Sequence, residues 1–272
     1  MGFIALLMVL ALALVAPGLD NRLTVARYTV ESEKIVQPVR LALVTDLHSC
    51  DYGDGMRELI DAVDAERPDY ILLGGDIFDS ELPDDNTEAF LRGVAGRYPC
   101  LYVTGNHEHL AGEERFQRQM ALLDELGITR LGGKIETHIS EDQTLTFCGV
   151  DDPMSVKRSN KKYKKQVRDL AGAKGFTVLL AHRPEYAELY AECGFDLVLC
   201  GHTHGGQVRI PGLLNGLFAP NQGFFPKYAG GRYELGGTTL IVGRGLARES
   251  TRVPRFYDRP ELVIVDLTGA RK

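Results

Sequence analysis

Tryptophan is missing from all 272 residues, and cysteine is sparse. The five cysteines, Cys50, Cys100, Cys148, Cys193 and Cys200, are scattered and odd in number, and none stands in a C-x-x-C pair. That pattern excludes a cysteine-rich zinc site and a dithiol redox motif. It reads as reduced, structural thiols: Cys100, Cys148 and Cys200 fall in or beside predicted strands, where a free cysteine behaves as a small apolar residue. A basic excess is lacking too. The net charge of −6 leaves no cationic footprint for nucleic acid, so none is expected as a partner. There is no Pro-, Gly- or Ser-rich linker beyond the N-terminal region and no internal repeat, which predicts one domain over residues 39–272.

Charge is absent from one stretch, Gly2 to Leu19, which is nearly all Ala, Leu, Val, Ile, Met and Phe. A spanning helix takes about 20 apolar residues, with ~17 at the short end. No Lys or Arg precedes the run, Pro17 directly follows Ala16, and the Ala-x-Ala at Ala11 to Ala13 lies inside the apolar stretch. These features fit a cleavable signal poorly. The reading is an uncleaved membrane anchor over residues 1–20, a linker over 21–38, and membrane association of the whole. Arg22 and Arg27 follow the run, which by the positive-inside rule places the domain on the cytoplasmic face.

From Arg40 to Leu267 the pattern is strand, loop, helix, repeated. Met56–Glu66, Thr87–Arg97, Glu113–Leu126, Lys161–Ala171 and Pro184–Cys193 read as helices. The first sets Leu59, Ile60 and Val63 on one face against Arg57, Asp61 and Asp64 on the other. Gly127 closes the third as a C-cap would. Thr144–Val150, Thr238–Gly243 and Leu262–Leu267 add strands. The stretch Val156–Arg168 gathers seven lysines and arginines, read as a solvated helix face or as a patch for anionic lipid headgroups. Pro211–Gly237 is a long loop rich in Gly, Pro and aromatics. It is expected to cover the functional site, since loops of such length in a compact domain carry function.

Five apolar runs each end in metal-ligand residue types. Leu41–Thr45 leads to Asp46 and His48; Tyr70–Leu73 to Asp76 and Asp79; Leu101–Thr104 to Asn106 and His107; Thr177–Ala181 to His182; and Leu197–Cys200 to His202 and His204. In α/β folds ligands bind outside the carboxyl ends of the strands, so these ends are expected to converge. Asp and His supply oxygen and imidazole donors without thiolate, a set suited to Mn, Fe or Zn in a catalytic role. Seven ligands exceed one open ion, and two ions about 4 Å apart would use them all. Asp79 is expected only to order a neighbour, and His109 and His138 to be structural or exposed. Arg244, just past another strand, is either half of a surface ion pair or a clamp on a substrate phosphate.

The ordered set Asp46-x-His48, Gly75-Asp76-x-x-Asp79, Gly105-Asn106-His107-Glu108, His182 and Gly201-His202-x-His204 resembles the calcineurin-like metallophosphoesterases. The extension Gly205-Gly206-Gln207, the Gly149-Val150-Asp151-Asp152-Pro153 segment and the Phe225-Pro226-Lys227-Tyr228 loop resemble a narrower branch, bacterial membrane-associated phosphodiesterases. The resemblance implies a four-layer α/β/β/α sandwich with a dinuclear metal site. It implies Asp46, His48 and His204 on one ion, Asp76 bridging, and Asn106, His182 and His202 on the other. His107 would be the general acid or would stabilise transition-state charge, and a hydroxide bridging the metals would attack phosphorus. The expected function is hydrolysis of a phosphodiester. The alternatives are a pyrophosphatase acting on a lipid-linked pyrophosphate of the UDP-2,3-diacylglucosamine type, as in lipid A synthesis, and a non-catalytic metal-binding scaffold.

Overall fold

The strand Val39–Val44 (β2) has side chains buried to both sides: Leu41 and Leu43 pack into one apolar cluster, Ala42 and Val44 into another. A strand covered on both faces reads as a continuous apolar run, and this is why β2 and its neighbours were visible as such. The computed structural model describes residues 15–140, 142–248 and 253–270.

In chain order the remaining elements are as follows. Thr24–Ser32 is β1. After β2 come the helix Arg57–Glu66 (α1), Tyr70–Gly74 (β3), Asp85–Val94 (α2), Cys100–Val103 (β4), Asn106–Leu110 (α3) and Glu113–Glu125 (α4). Thr129–Arg130 (β5), Lys134–Ile139 (β6), Thr144–Val150 (β7), Asn160–Asp169 (α5), Phe176–Ala181 (β8), Ala187–Glu192 (α6) and Leu197–Cys200 (β9) follow. The chain ends with Phe218–Ala219 (β10), Gly223–Phe224 (β11), Gly231–Leu235 (β12), Thr238–Val242 (β13) and Glu261–Gly269 (β14).

Two mixed six-stranded sheets form, in the orders β1-β14-β2-β3-β4-β5 and β12-β13-β9-β8-β7-β6. In the first, β14 is parallel to β1 and antiparallel to β2, and β2 to β5 run parallel. In the second, β13, β9, β8 and β7 run parallel between the antiparallel β12 and β6. Leu43, Leu72 and Leu101 of the first sheet meet Phe147, Leu180 and Leu199 of the second in the central layer. The outer face of the first sheet is covered by Leu59 and Val63 of α1, Phe90 and Leu91 of α2, and Leu123 of α4. The outer face of the second is covered by Tyr163 and Val167 of α5 and Tyr190 of α6. This is the expected four-layer sandwich. Gly127, with φ 69°, closes α4 as expected, since a residue with Cβ is disfavoured there.

Three readings change. The anchor expected over residues 1–20, with the membrane location and cytoplasm-facing orientation that rested on it, is corrected: among the described residues no helix is long and apolar enough to cross a membrane. Residues 1–14 of that run lie outside the described residues. Its end turns onto the domain instead, where the Gly18 carbonyl accepts the Tyr257 N–H and Gly18 packs on the Phe256 ring. Within the expected linker, residues 24–32 are β1, paired along its length with β14. The expected helix Pro184–Cys193 splits into a 3-10 turn, Pro184–Tyr186, and α6.

Candidate metal centre

Parallel strands bring their carboxyl ends to one edge of each sheet, and the two edges face each other. β2 delivers Asp46 and His48, β3 delivers Asp76 and Asp79, and β4 delivers Asn106 and His107. Across the sandwich β8 delivers His182, and β9 delivers His202 and His204. The aim depends on backbone strain: Asp46, His48, Asp76, His202 and His204 all have φ between 46° and 72°. That left-handed region is uncommon for residues other than glycine, and such strain clusters at functional sites. At Gly105 a Cβ would run into the Asp76 carboxylate, so the β3 and β4 turns approach this closely only with glycine there.

The donor atoms form three overlapping groups, each within 4.8 Å: Asp46, His48 and His204; His48, Asp76 and His107; and Asp76, His182 and His202. Asp76 Oδ2 is central, 3.6 Å from His48 Nε2 and 3.2 Å from His182 Nε2. His204 Nε2 lies 3.7 Å from Asp46 Oδ1. Asn106 sits at the same edge, its Oδ1 3.5 Å from the Arg183 guanidinium.

Hydrogen bonds on the far side of each ring fix which nitrogen is free. His48 Nδ1–H donates to Asp79 at 2.8 Å, and His182 Nδ1–H donates to the Gly74 carbonyl at 2.9 Å. His202 Nε2–H donates to Asn221 Oδ1 at 3.0 Å. The inward lone pairs are then His48 Nε2, His182 Nε2 and His202 Nδ1. His48 Nε2 and His182 Nε2, both beside the Asp76 carboxylate, are buried and make no hydrogen bond. Orphaned buried nitrogens around a carboxylate are costly unless a cation takes their lone pairs. The residues therefore fit a divalent-metal centre.

The electrostatics agree. Burial pulls His182 down, but the Asp76 carboxylate outweighs it and lifts the ring to about 10, a measure of the cluster's demand for positive charge. Burial, then the neighbouring His182 and Arg183, keep His202 well below the usual imidazole value; burial and His48 do the same for His204. Both rings are thus neutral and can ligate. Burial works against the ionised Asp76, but His182 and His48 hold it well below the ordinary carboxylate range.

His107 is set apart. Its Nδ1 faces Ser80 Oγ at 3.0 Å and Asp79 Oδ2 at 3.2 Å. Burial lowers this ring, yet Asp79 and Asp76 raise it above the usual value, which favours the protonated form. Asp79, expected to order one neighbour, in fact holds both His48 and His107.

Glu108 and Asp152 stand in the quoted motifs without a role read for them, and Arg183 and Asn221 carried no visible signal. Glu108 accepts the backbone N–H groups of Asp76, Ile77, Phe78 and Gly105 at 2.8–3.2 Å and clamps the β3 and β4 turns together. Buried Arg183 and Asp152, with the exposed Asn221, form a cluster behind His202. Asn221 comes from the Pro211–Gly237 stretch, which reaches the centre as expected and also contains β10, β11 and β12. Arg244 does not join the cluster: its guanidinium pairs with Glu261 on β14. Of the two roles expected for it, the structure shows the ion pair. His109 bonds Thr104 and stacks on Phe116, and His138 packs on Tyr70 and Phe147.

Two facing sheets with Asp and His donors at their carboxyl edges define a metal-dependent hydrolase of phosphoesters, and the comparisons name its family. The calcineurin-like phosphoesterase model matches residues 39–206, and the chain belongs to that family. It is 28% identical over 235 residues to the uncharacterized metallophosphoesterase YkuE of Bacillus subtilis, covering 84% of this chain and 78% of YkuE. It is 28% identical over 242 residues to the phosphodiesterase YaeI of Escherichia coli, covering 85% of this chain and 82% of YaeI. A dimetal phosphatase from Danio rerio shares the fold, with a TM-score of 0.50 at 13% identity over 77% of this chain and 88% of that one. The protein is a metal-dependent phosphoesterase whose cofactor is a pair of divalent cations.

Proposed function

We propose that the protein is a phosphodiesterase. Asp46, His48 and His204 would hold one cation, Asn106, His182 and His202 the other, and Asp76 would lie between them. The observation that carries this reading is Asp76 Oδ2, within 3.6 Å of inward nitrogens from both halves of the site. Bound there, the two ions supply charge against the phosphoryl oxygens and make a water more acidic.

The chain's own residues do the rest. Asp79 and Ser80 hold His107 by Nδ1, which leaves Nε2 free to protonate the departing alkoxide as its bond to phosphorus breaks. A positioned imidazolium contributes typically about 10²–10⁴-fold. Glu108 holds the backbone that aims Asp76, and Asp79 holds His48. Mn²⁺ is the ion we propose on donor chemistry: hard carboxylate and amide oxygens with imidazole and no thiolate.

The test is turnover by purified protein with Mn²⁺ of a model aryl phosphodiester, an aryl phosphomonoester and a UDP-linked acylated sugar. Preference for the diester supports the reading. Preference for the UDP-linked lipid would replace it with a pyrophosphatase acting on a lipid-linked substrate, and preference for the monoester would replace it with a phosphatase.

A further inference from the structure

A cleft of about 470 Å³ opens beside the second half of the metal centre. Asn106 and His202 form its inner end, Met154 and Pro220 line its sides, and Arg158 and Tyr186 lie on its wall. Its size is that of a small-ligand pocket. The charges on its wall are unequal. Arg183 is satisfied by Asp152 and lies 3.4 Å from Glu185, so those two wall charges answer each other. Arg158 is exposed and, among the described residues, its guanidinium makes no ion pair and only a 3.9 Å approach to the Met154 sulfur.

Arg158 is nevertheless placed rather than loose. Lys157 and Arg158 have consecutive left-handed conformations, φ 54° and 56°, and the Arg158 N–H is held by the Pro153 carbonyl at 2.8 Å. Two strained non-glycine residues in a row persist only where the surrounding fold holds them. The adjacent wall is braced as well, with the Tyr186 hydroxyl donating to Asn160 Oδ1 at 2.6 Å. The basic stretch noticed in the sequence thus has one member, Arg158, on the cleft itself; Lys157 precedes it and the other five follow along α5.

We infer that this cleft binds one ester arm of the substrate, and that Arg158 selects arms ending in an anionic group such as a phosphate. A planar guanidinium with no partner matches a phosphate bidentately. The substrate class is therefore a phosphodiester with a second anionic group on one arm. This rests on the phosphodiesterase reading above.

The experiment uses the full chain with Mn²⁺ and two p-nitrophenyl phosphodiesters, whose second arm is 3-hydroxypropyl or 3-phosphopropyl. Wild type should favour the phosphopropyl substrate by about tenfold in kcat/KM, less at high salt. Arg158→Ala should erase that preference by lowering kcat/KM for the phosphopropyl substrate towards the value for the hydroxypropyl one, and Arg158→Lys should keep part of it. Lys165→Ala, on α5 beyond the cleft and paired with Asp169 at 2.6 Å, should change nothing. Calorimetry with propane-1,3-diol bisphosphate, which has no diester bond, should show about tenfold weaker binding to Arg158→Ala. An unchanged substrate preference in Arg158→Ala, or equal affinities for the bisphosphate, overturns the proposal. If no diester is turned over but the affinity difference persists, the phosphodiesterase reading falls and the anionic subsite stands.

Discussion

Asp152 and Arg183 form a buried ion pair directly behind the metal centre. The carboxylate takes the Nε–H of the guanidinium and, at 3.3 Å, an Nη2–H. This turns Nη1 towards Asn221 Oδ1 at 2.6 Å, the same oxygen that receives the His202 Nε2–H. The ring that presents Nδ1 to the centre is thereby fixed through a chain of hydrogen bonds starting at Asp152.

Asp152→Ala should therefore act on stability and on metal together. Arg183 is only 9% exposed, and removing one partner of a buried pair costs at most about 3–5 kcal/mol, less where a second carboxylate, here Glu185 at 3.4 Å, remains. His202 loses its brace as well, and such supporting contacts are typically worth about 10–100-fold in metal affinity. Urea unfolding and Mn²⁺ titration read the two effects. A variant as stable as wild type with undiminished Mn²⁺ affinity would show that the pair neither buries a charge nor holds the ring.

Asp76→Asn tests the centre itself. Asp76 Oδ2 approaches inward nitrogens of both His48 and His182. Its loss removes the one negative charge common to both halves. The expected result is activity lower by several orders of magnitude and weaker binding of both Mn²⁺ ions in calorimetry. Loss of one ion with full retention of the other would place Asp76 on a single metal.

His107→Ala should leave Mn²⁺ binding intact, because its Nδ1 is committed to Ser80 and Asp79. Turnover should fall by about 10²–10⁴-fold for a diester with an alkyl leaving group, and far less for p-nitrophenolate, which departs without a proton. Equal losses across leaving groups would assign His107 to charge stabilisation instead.

The candidate ligands were legible because each follows a strand buried on both faces, and such strands announce themselves as unbroken apolar runs. The residues that hold those ligands were not. Glu108 acts through backbone N–H groups, which have no sequence signature, and Arg183 and Asn221 meet only after β8 and a distant loop converge. β1 escaped notice for a related reason. Thr24–Ser32 alternates between partly buried and exposed positions at a sheet edge, and its partner β14 lies at the other end of the chain. The apolar run before it suggested a bilayer; the contacts of Gly18 with Phe256 and Tyr257 could not be read from composition.

A last prediction concerns pH and a carboxyl that packs against Gly205, the neighbour of His204. Asp258 is fully buried; Arg255 bonds one of its oxygens at 3.0 Å, while the other makes no hydrogen bond among the described residues. Burial outweighs the pull of Arg255, Arg244 and Arg209 and raises the carboxyl from 3.8 to about 6. The folded protein therefore keeps this proton in a range where the unfolded chain has released it. Wherever the folded state binds more protons, stability falls as pH rises. The contribution is whole below about pH 4 and is lost as pH climbs through about 6, a change on the order of 3 kcal/mol. Asp258→Asn has no proton to lose. Unfolding free energies of both proteins between pH 4 and 7 should thus show wild type losing ground to the variant over that window, then running parallel above it. A constant difference from pH 4 to 7 would mean that Arg255 keeps Asp258 ionised in the fold.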